Sequence, residues 1–159
     1  MIKKVFYKLK IVNFVFPFSM MHQKKFLLAW ILSTFVMFFM SFAWHGLLLN
    51  DFKKISYSIE LFLLFLGLLY LLLGFFITFG ISLIGNNKNP LYTGLGIGIT
   101  SGLLIFLIVF VLGSSLSGIG IQPLHATIDF IWQILEQSTG GICAAMVYSF
   151  IEKREMMFK

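Results

Sequence analysis

Four stretches of this chain are too long and too apolar to be hidden inside a water-soluble domain of its length. The first, from about Phe26 to Leu49, contains no Asp, Glu, Lys or Arg, and its only clearly polar side chains are Ser33, Thr34, Ser41 and His45. About 20 apolar residues wound as a helix cross a hydrocarbon core about 30 Å thick, so this stretch is long enough. A second run covers about 58–84 with Glu60 near its start, a third about 92–112, and a fourth about 123–152. Composition bears on who covers the apolar surface. The chain is 59% hydrophobic and 11% charged, against roughly 45–50% and 25% for a soluble domain. Its few charges gather near the ends, so lipid has to do the covering. The expected fold class is all-α, an integral membrane bundle of four transmembrane helices with the bilayer as its partner.

The segments between the runs carry their own signals. Asn50 to Tyr57 holds Asp51, Lys53 and Lys54, and Asn86, Asn87, Lys88, Asn89 and Pro90 form a dense turn cluster. Gly113 to Gln122 is small, uncharged and flexible in composition, and Pro123 is placed to open the fourth helix. One membrane domain over 26–153 is expected, with a basic tail at 1–25 and a short tail at 154–159. The first residues alternate basic with aromatic or β-branched side chains and include Pro17, which reads as an interfacial or disordered tail rather than a cleaved leader. Met20 or Met21 is an alternative start to Met1.

Charge decides orientation and argues against one class of partner. Lys and Arg outnumber Asp and Glu by twelve to six, but they flank the apolar runs instead of forming a nucleic-acid face, and no nucleic-acid partner is expected. Six lysines precede the first run, Lys88 sits in the second connection, and Lys153, Arg154 and Lys159 follow the last run; only Lys53 and Lys54 fall on the other side. Ten against two predicts both termini in the cytoplasm, in the cytoplasmic membrane of a bacterium. Cys143 is the sole cysteine, so no disulfide within the chain is available.

Two features point toward packing and chemistry. Gly94, Gly98 and Gly102 recur at every fourth position of the third run, a helix-packing face that lets another backbone approach closely, within the chain, in a homo-oligomer or against another membrane protein. In the fourth run His125, Asp129, Trp132, Glu136 and Cys143 fall on one helical stripe. Glu136 lies fifteen residues before Ile151, about 22 Å by helical rise, and so below the outer boundary of a bilayer. A carboxyl there must face the bundle interior and be either neutral or partnered.

With the expected topology, His45, Glu60, His125, Asp129 and Glu136 all belong to the outward half of the bundle. Two imidazoles and three carboxylates suit a small ligand, a proton relay or a divalent metal. The rival to a ligand- or proton-binding pocket is a metal-dependent membrane enzyme using these groups, and a third reading is an accessory subunit docking through the glycine face. No Glu-x-x-His pair, HExxH, GxSxG or nucleotide-binding loop is present. The reading is therefore non-enzymatic, with no cofactor expected.

The segment Trp44-His45-Gly46-Leu47-Leu48-Leu49-Asn50-Asp51, closing the first run, resembles an element of small four-helix bacterial integral membrane proteins. In that group a His-Gly pair ends helix one and a glycine-bearing helix three follows. The resemblance implies the four-helix layout and no activity.

Overall fold

The computed structural model describes residues 24–49, 58–84, 89–117 and 123–157, and within these the side chains of all but 112–117, 123 and 125. The basic tail before Lys24, the first connection with Asp51, Lys53 and Lys54, the asparagines and lysine at 86–88, the segment 118–122 and the last two residues lie outside the described residues. The described residues are all-α and form four helices in order: α1 Lys24–Ser41, continued without a break by a π-helix Phe42–Leu48, then α2 Ile59–Ile84, α3 Pro90–Ser117 and α4 Pro123–Met157.

The helix limits follow local chemistry. Pro90 and Pro123 each stand first in their helix, where the missing N–H costs nothing and the fixed φ already suits the helix. The Asn89 carbonyl accepts the Thr93 N–H at 3.3 Å, closing the first turn of α3. Two expected ends fall short. α3 runs to Ser117, past the expected 112, because a single glycine costs only about 1 kcal/mol in a helix and no proline follows to stop it. α4 takes in 154–157 of the expected tail, since Lys, Arg, Glu and Met are good helix formers and Arg154 complements the helix C-terminus. The π turn was also not foreseen. It widens the end of α1 through a bond from the Leu49 N–H to the Trp44 carbonyl at 2.9 Å.

Three helices are long and apolar enough to cross a membrane: Lys24–Leu48, Ile59–Ile84 and Pro90–Val111 of α3. No more than a third of the apolar window in any of them is buried inside the protein. The expected fourth span, α4, is not among them, because Asp129, Gln133, Glu136 and Gln137 lower its hydropathy.

α4 is nonetheless the central element, packing on α3 and α1 and more lightly on α2. It runs antiparallel to α1. Lys25 Nζ meets Glu152 Oε1 at 2.9 Å at one end, and Trp44 stacks on Trp132 with ring centres 4.2 Å apart toward the other. Between those ends, Ser33 Oγ donates to the Gly140 carbonyl at 2.9 Å. α2 lies against α1 through bonds from Trp30 Nε1 to the Leu71 carbonyl at 2.7 Å and from Thr34 Oγ1 to the Tyr70 carbonyl at 3.3 Å. The Phe26, Trp30 and Phe75 rings fill the same seam edge-to-face.

The closest approach is between α3 and α4. A Cβ at Gly94 would strike the Gly141 carbonyl, one at Gly98 the Gln137 carbonyl and the Ser138 Cα, and one at Gly102 would come to 3.0 Å from the Gln133 carbonyl. The constant pairing along the three glycines fixes an antiparallel register in which backbone meets backbone. The glycine face of α3 is thus in contact within this chain.

The distribution of polarity is inverted relative to a water-soluble protein. Ser33, Thr34, Ser41, Thr78, Ser82, Glu136, Gln137 and Ser138 are buried, while long rows of Leu, Ile and Phe, among them Leu61, Leu64, Phe65, Leu68 and Phe76, are more than half exposed. Small and hydroxyl-bearing side chains let the helices close on one another, and the bulky apolar ones are left outward.

Candidate functional site

The most unusual group in the core is the Glu136 carboxyl, 1% exposed on the inner face of α4. α4 turns it inward for a reason visible in its neighbours. Gly140 and Gly141, a turn further on, bring α1 and α3 against the helix, so the face holding 136 and 137 has no outlet to the surroundings. Tyr70, from the middle of α2, donates its hydroxyl to Glu136 Oε1 at 2.6 Å, and Gln137 Nε2 donates to the same oxygen at 3.2 Å. The phenol bond has the short length of a strong O–H···O contact. Ser41, buried at the end of α1, adjoins the same phenol.

Both donors to the carboxyl, Tyr70 and Gln137, are neutral. A buried carboxylate without a cation is a costly arrangement unless its hydrogen bonds are good. Here they converge on one oxygen. Elsewhere in the described core Trp44 Nε1, Thr78 Oγ1, Trp132 Nε1, Gln137 Oε1 and Ser138 Oγ are buried without a hydrogen bond, three of them on α4 within four residues of Glu136 in sequence. Each such atom in an apolar interior costs about 1–3 kcal/mol, so this concentration marks a place where the core is not optimised for stability.

Trp132 lies four residues before Glu136 on the same face, and its ring is stacked nearly parallel to that of Trp44, at 10°. The π turn carries Trp44, which ties that local irregularity to the site; insertions of this kind recur at functional positions. Beyond the tryptophan pair, away from Glu136, a cavity of about 290 Å³ is bounded by His45, Phe106, Phe110, Asp129, Trp132 and Gln133. Trp132 lines this cavity, and Glu136, one helical turn further along α4, does not.

The five titratable residues singled out in the sequence do not share one pocket. His45 and Asp129 are brought together on the cavity wall. Glu136 sits deeper, seven residues along α4 from Asp129, about 10 Å by helical rise. Glu60 is exposed in the first turn of α2, where a negative charge suits the helix N-terminus. His125 lies in the first turn of α4, and its side chain is outside the described residues. Among the described residues no three of His, Cys, Asp and Glu are grouped as a metal ion would require.

Tyr70, the Trp44–Trp132 pair and the burial of Gln137 escape a reading of the sequence. A signal for Tyr70 did exist. Tyr70, Gly74, Thr78 and Ser82 follow one another at intervals of four through an otherwise Leu- and Phe-rich helix, and all four are buried. In an apolar helix such a stripe of small and polar residues marks the inward face. Set beside known proteins, the chain matches no family model, no curated protein and no solved structure.

Proposed function

We propose that this chain is a polytopic protein of the cell membrane with four spanning helices and both termini cytoplasmic, in which the buried Glu136 carboxyl takes up and releases a proton or small cation from the outward side. The observation that carries the reading is a carboxyl 1% exposed, held by neutral donors, inside a bundle whose exterior is apolar. An intramembrane carboxyl is expensive to keep, and a structural role alone would be met by a neutral side chain. The unpartnered Gln137 and Ser138 oxygens beside it add open hydrogen-bonding capacity of the kind a transient polar guest needs. Tyr70, bonded to the same oxygen, positions the carboxyl and can follow its change of charge.

A fourth span is consistent with α4 despite its mean hydropathy. Its polar side chains at 136–138 point into the core, and the large apolar residues it exposes are Leu124, Ile128, Ile131, Leu135, Met146 and Phe150, with the polar Thr127 and Asp129 exposed near its start. Thr139, also outward, returns its hydroxyl to the Leu135 carbonyl at 2.8 Å. The reading is supported by the reach of α4, which extends along α1 from its Trp44 end to its Lys25 end. Fusing a reporter to each terminus tests this. Four spans place a fluorescent protein in the cytoplasm, and hence bright, at both ends, whereas a C-terminal alkaline phosphatase that is active would require an odd number of crossings and refute the topology.

The chemical claim is tested with Glu136→Gln, which keeps the shape and an acceptor oxygen for Tyr70 while removing the titrating group. In proteoliposomes with an imposed pH gradient, the wild-type protein is expected to dissipate the gradient or bind protons in a way the variant loses by about tenfold or more. Equal proton uptake by a variant that is equally folded in detergent would end the proposal.

A further inference from the structure

The reading of the bundle as a membrane protein with an outward pocket leaves the ligand class open, and the outer cavity narrows it. Resting on that reading, we infer that the cavity between the π turn, α3 and α4 is a binding site for a small organic cation with an aromatic or alkyl body.

The lining carries the inference. Phe106 and Phe110 from α3 and Trp132 from α4 give three aromatic rings to a space of about 290 Å³, at the small end of ligand pockets. Phe106 is fixed edge-to-face on Phe130 at 4.9 Å and stacked on Phe110 at 5.6 Å, so this wall is braced from behind. Trp132 is braced likewise by Trp44. Asp129 brings a carboxylate to this aromatic wall and is itself exposed, and no Lys or Arg is among the described residues of the lining. Gln133 and His45 add polar groups able to orient a guest.

Other ligand classes fit these walls poorly. A bare inorganic cation needs several oxygen ligands to replace its water, and one carboxylate among phenyl rings does not supply them. An anion would meet the Asp129 charge, and among the described residues of the lining no Lys or Arg offsets it. A neutral apolar molecule would gain from the rings but nothing from the carboxylate. A cation with an apolar body uses both, because aromatic faces attract positive charge and the carboxylate balances it.

Phenyltrimethylammonium and its uncharged counterpart tert-butylbenzene form the test pair, titrated calorimetrically into the full-length protein in lipid nanodiscs. Saturable binding of the ammonium, at least about tenfold tighter than any binding of the neutral compound, is the expected result. Asp129→Asn should weaken the ammonium by about tenfold or more, and exposure of this side chain makes a folding defect unexpected; the variant's elution in detergent checks that. Glu136→Gln should leave the binding within a few-fold of wild type. Equal affinity for both compounds, or no effect of Asp129→Asn, overturns the inference. Loss of ammonium binding in Glu136→Gln but not in Asp129→Asn would also overturn it, by moving the cation to Glu136, while leaving the proposal for that carboxyl standing. Conversely, normal binding and normal sensitivity to Asp129→Asn, alongside unchanged proton uptake in Glu136→Gln, would remove the Glu136 reading alone.

Discussion

Gly98→Leu is expected to prevent α3 and α4 from docking and to remove most of the folded protein recovered in mild detergent. A Cβ at this position would meet the Gln137 carbonyl and the Ser138 Cα, which are backbone atoms of the facing helix. A clash with a flexible side chain is relieved by a rotamer change; a clash with backbone is relieved only by moving the helix. Overpacking ordinarily costs about 1–3 kcal/mol, and a whole leucine against backbone belongs at or beyond the top of that range. Against this, replacing glycine within a helix gains under about 1 kcal/mol of intrinsic propensity, too little to compensate.

The same displacement would pull Gln137 from the neighbourhood of Glu136, so site and fold should fail together. Gly98→Ala should be intermediate. Gly96→Leu is the control, because nothing lies within 4 Å of a Cβ built there, and it should behave as wild type. Size-exclusion profiles and denaturant midpoints in one detergent give the comparison. If Gly98→Leu and Gly96→Leu are indistinguishable, the α3–α4 register described above is wrong.

The second large effect belongs to the carboxyl itself. Glu136→Ala leaves the Tyr70 hydroxyl and Gln137 Nε2 without their acceptor and opens space in a close-packed core. Orphaned donors and the new void together are expected to cost about 2–5 kcal/mol. Glu136→Gln retains an acceptor and should lie near wild type in stability, which separates the stability effect from the proton-uptake effect tested above.

Removing the donor as well makes the prediction sharper. In the double variant Glu136→Ala, Tyr70→Phe, one orphan disappears, so part of the loss should be recovered, with a coupling energy of about 1–3 kcal/mol. The four denaturation midpoints of the cycle, measured in one micelle system, supply that coupling. Strict additivity of the two single changes would mean that the 2.6 Å bond contributes nothing.

The two variants probe features of unequal legibility. The glycine face of α3 could be read as a packing face, with a pore or ligand groove as the alternative, since three glycines at every fourth position of an apolar run let another group approach the backbone closely. What it faces could not be read, because the same spacing serves contact with α4, with another chain or with another protein. Glu136 was visible as an anomaly for the same kind of reason, a charged residue where charge is costly. Its partner was not, because Tyr70 is one aromatic residue among many in α2, and across a sequence separation of 66 positions nothing marks their proximity. The expectation that Glu60, His45, Asp129 and Glu136 converge assumed that groups at the same depth meet. Depth along a helix is fixed by counting residues, but azimuth around the bundle is fixed by packing, and α2 turns Glu60 outward while α4 turns Glu136 inward.

The sequence alone determined that most of the helical surface is apolar, that long runs are fit to cross a bilayer, three of the four expected ones meeting that test as helices, and that α3 carries a glycine face and α4 a misplaced carboxyl, because each of these is a property of composition and period along a single helix. Tertiary structure alone decided that α4 stands at the centre of the bundle, that Tyr70 reaches Glu136, and that His45, Asp129 and Trp132 line one cavity. Those depend on how helices rotate and slide against one another. Their rotation is set where backbones can touch, at Gly94, Gly98, Gly102 and Gly141, and this choice among contacts is made between elements distant in the chain.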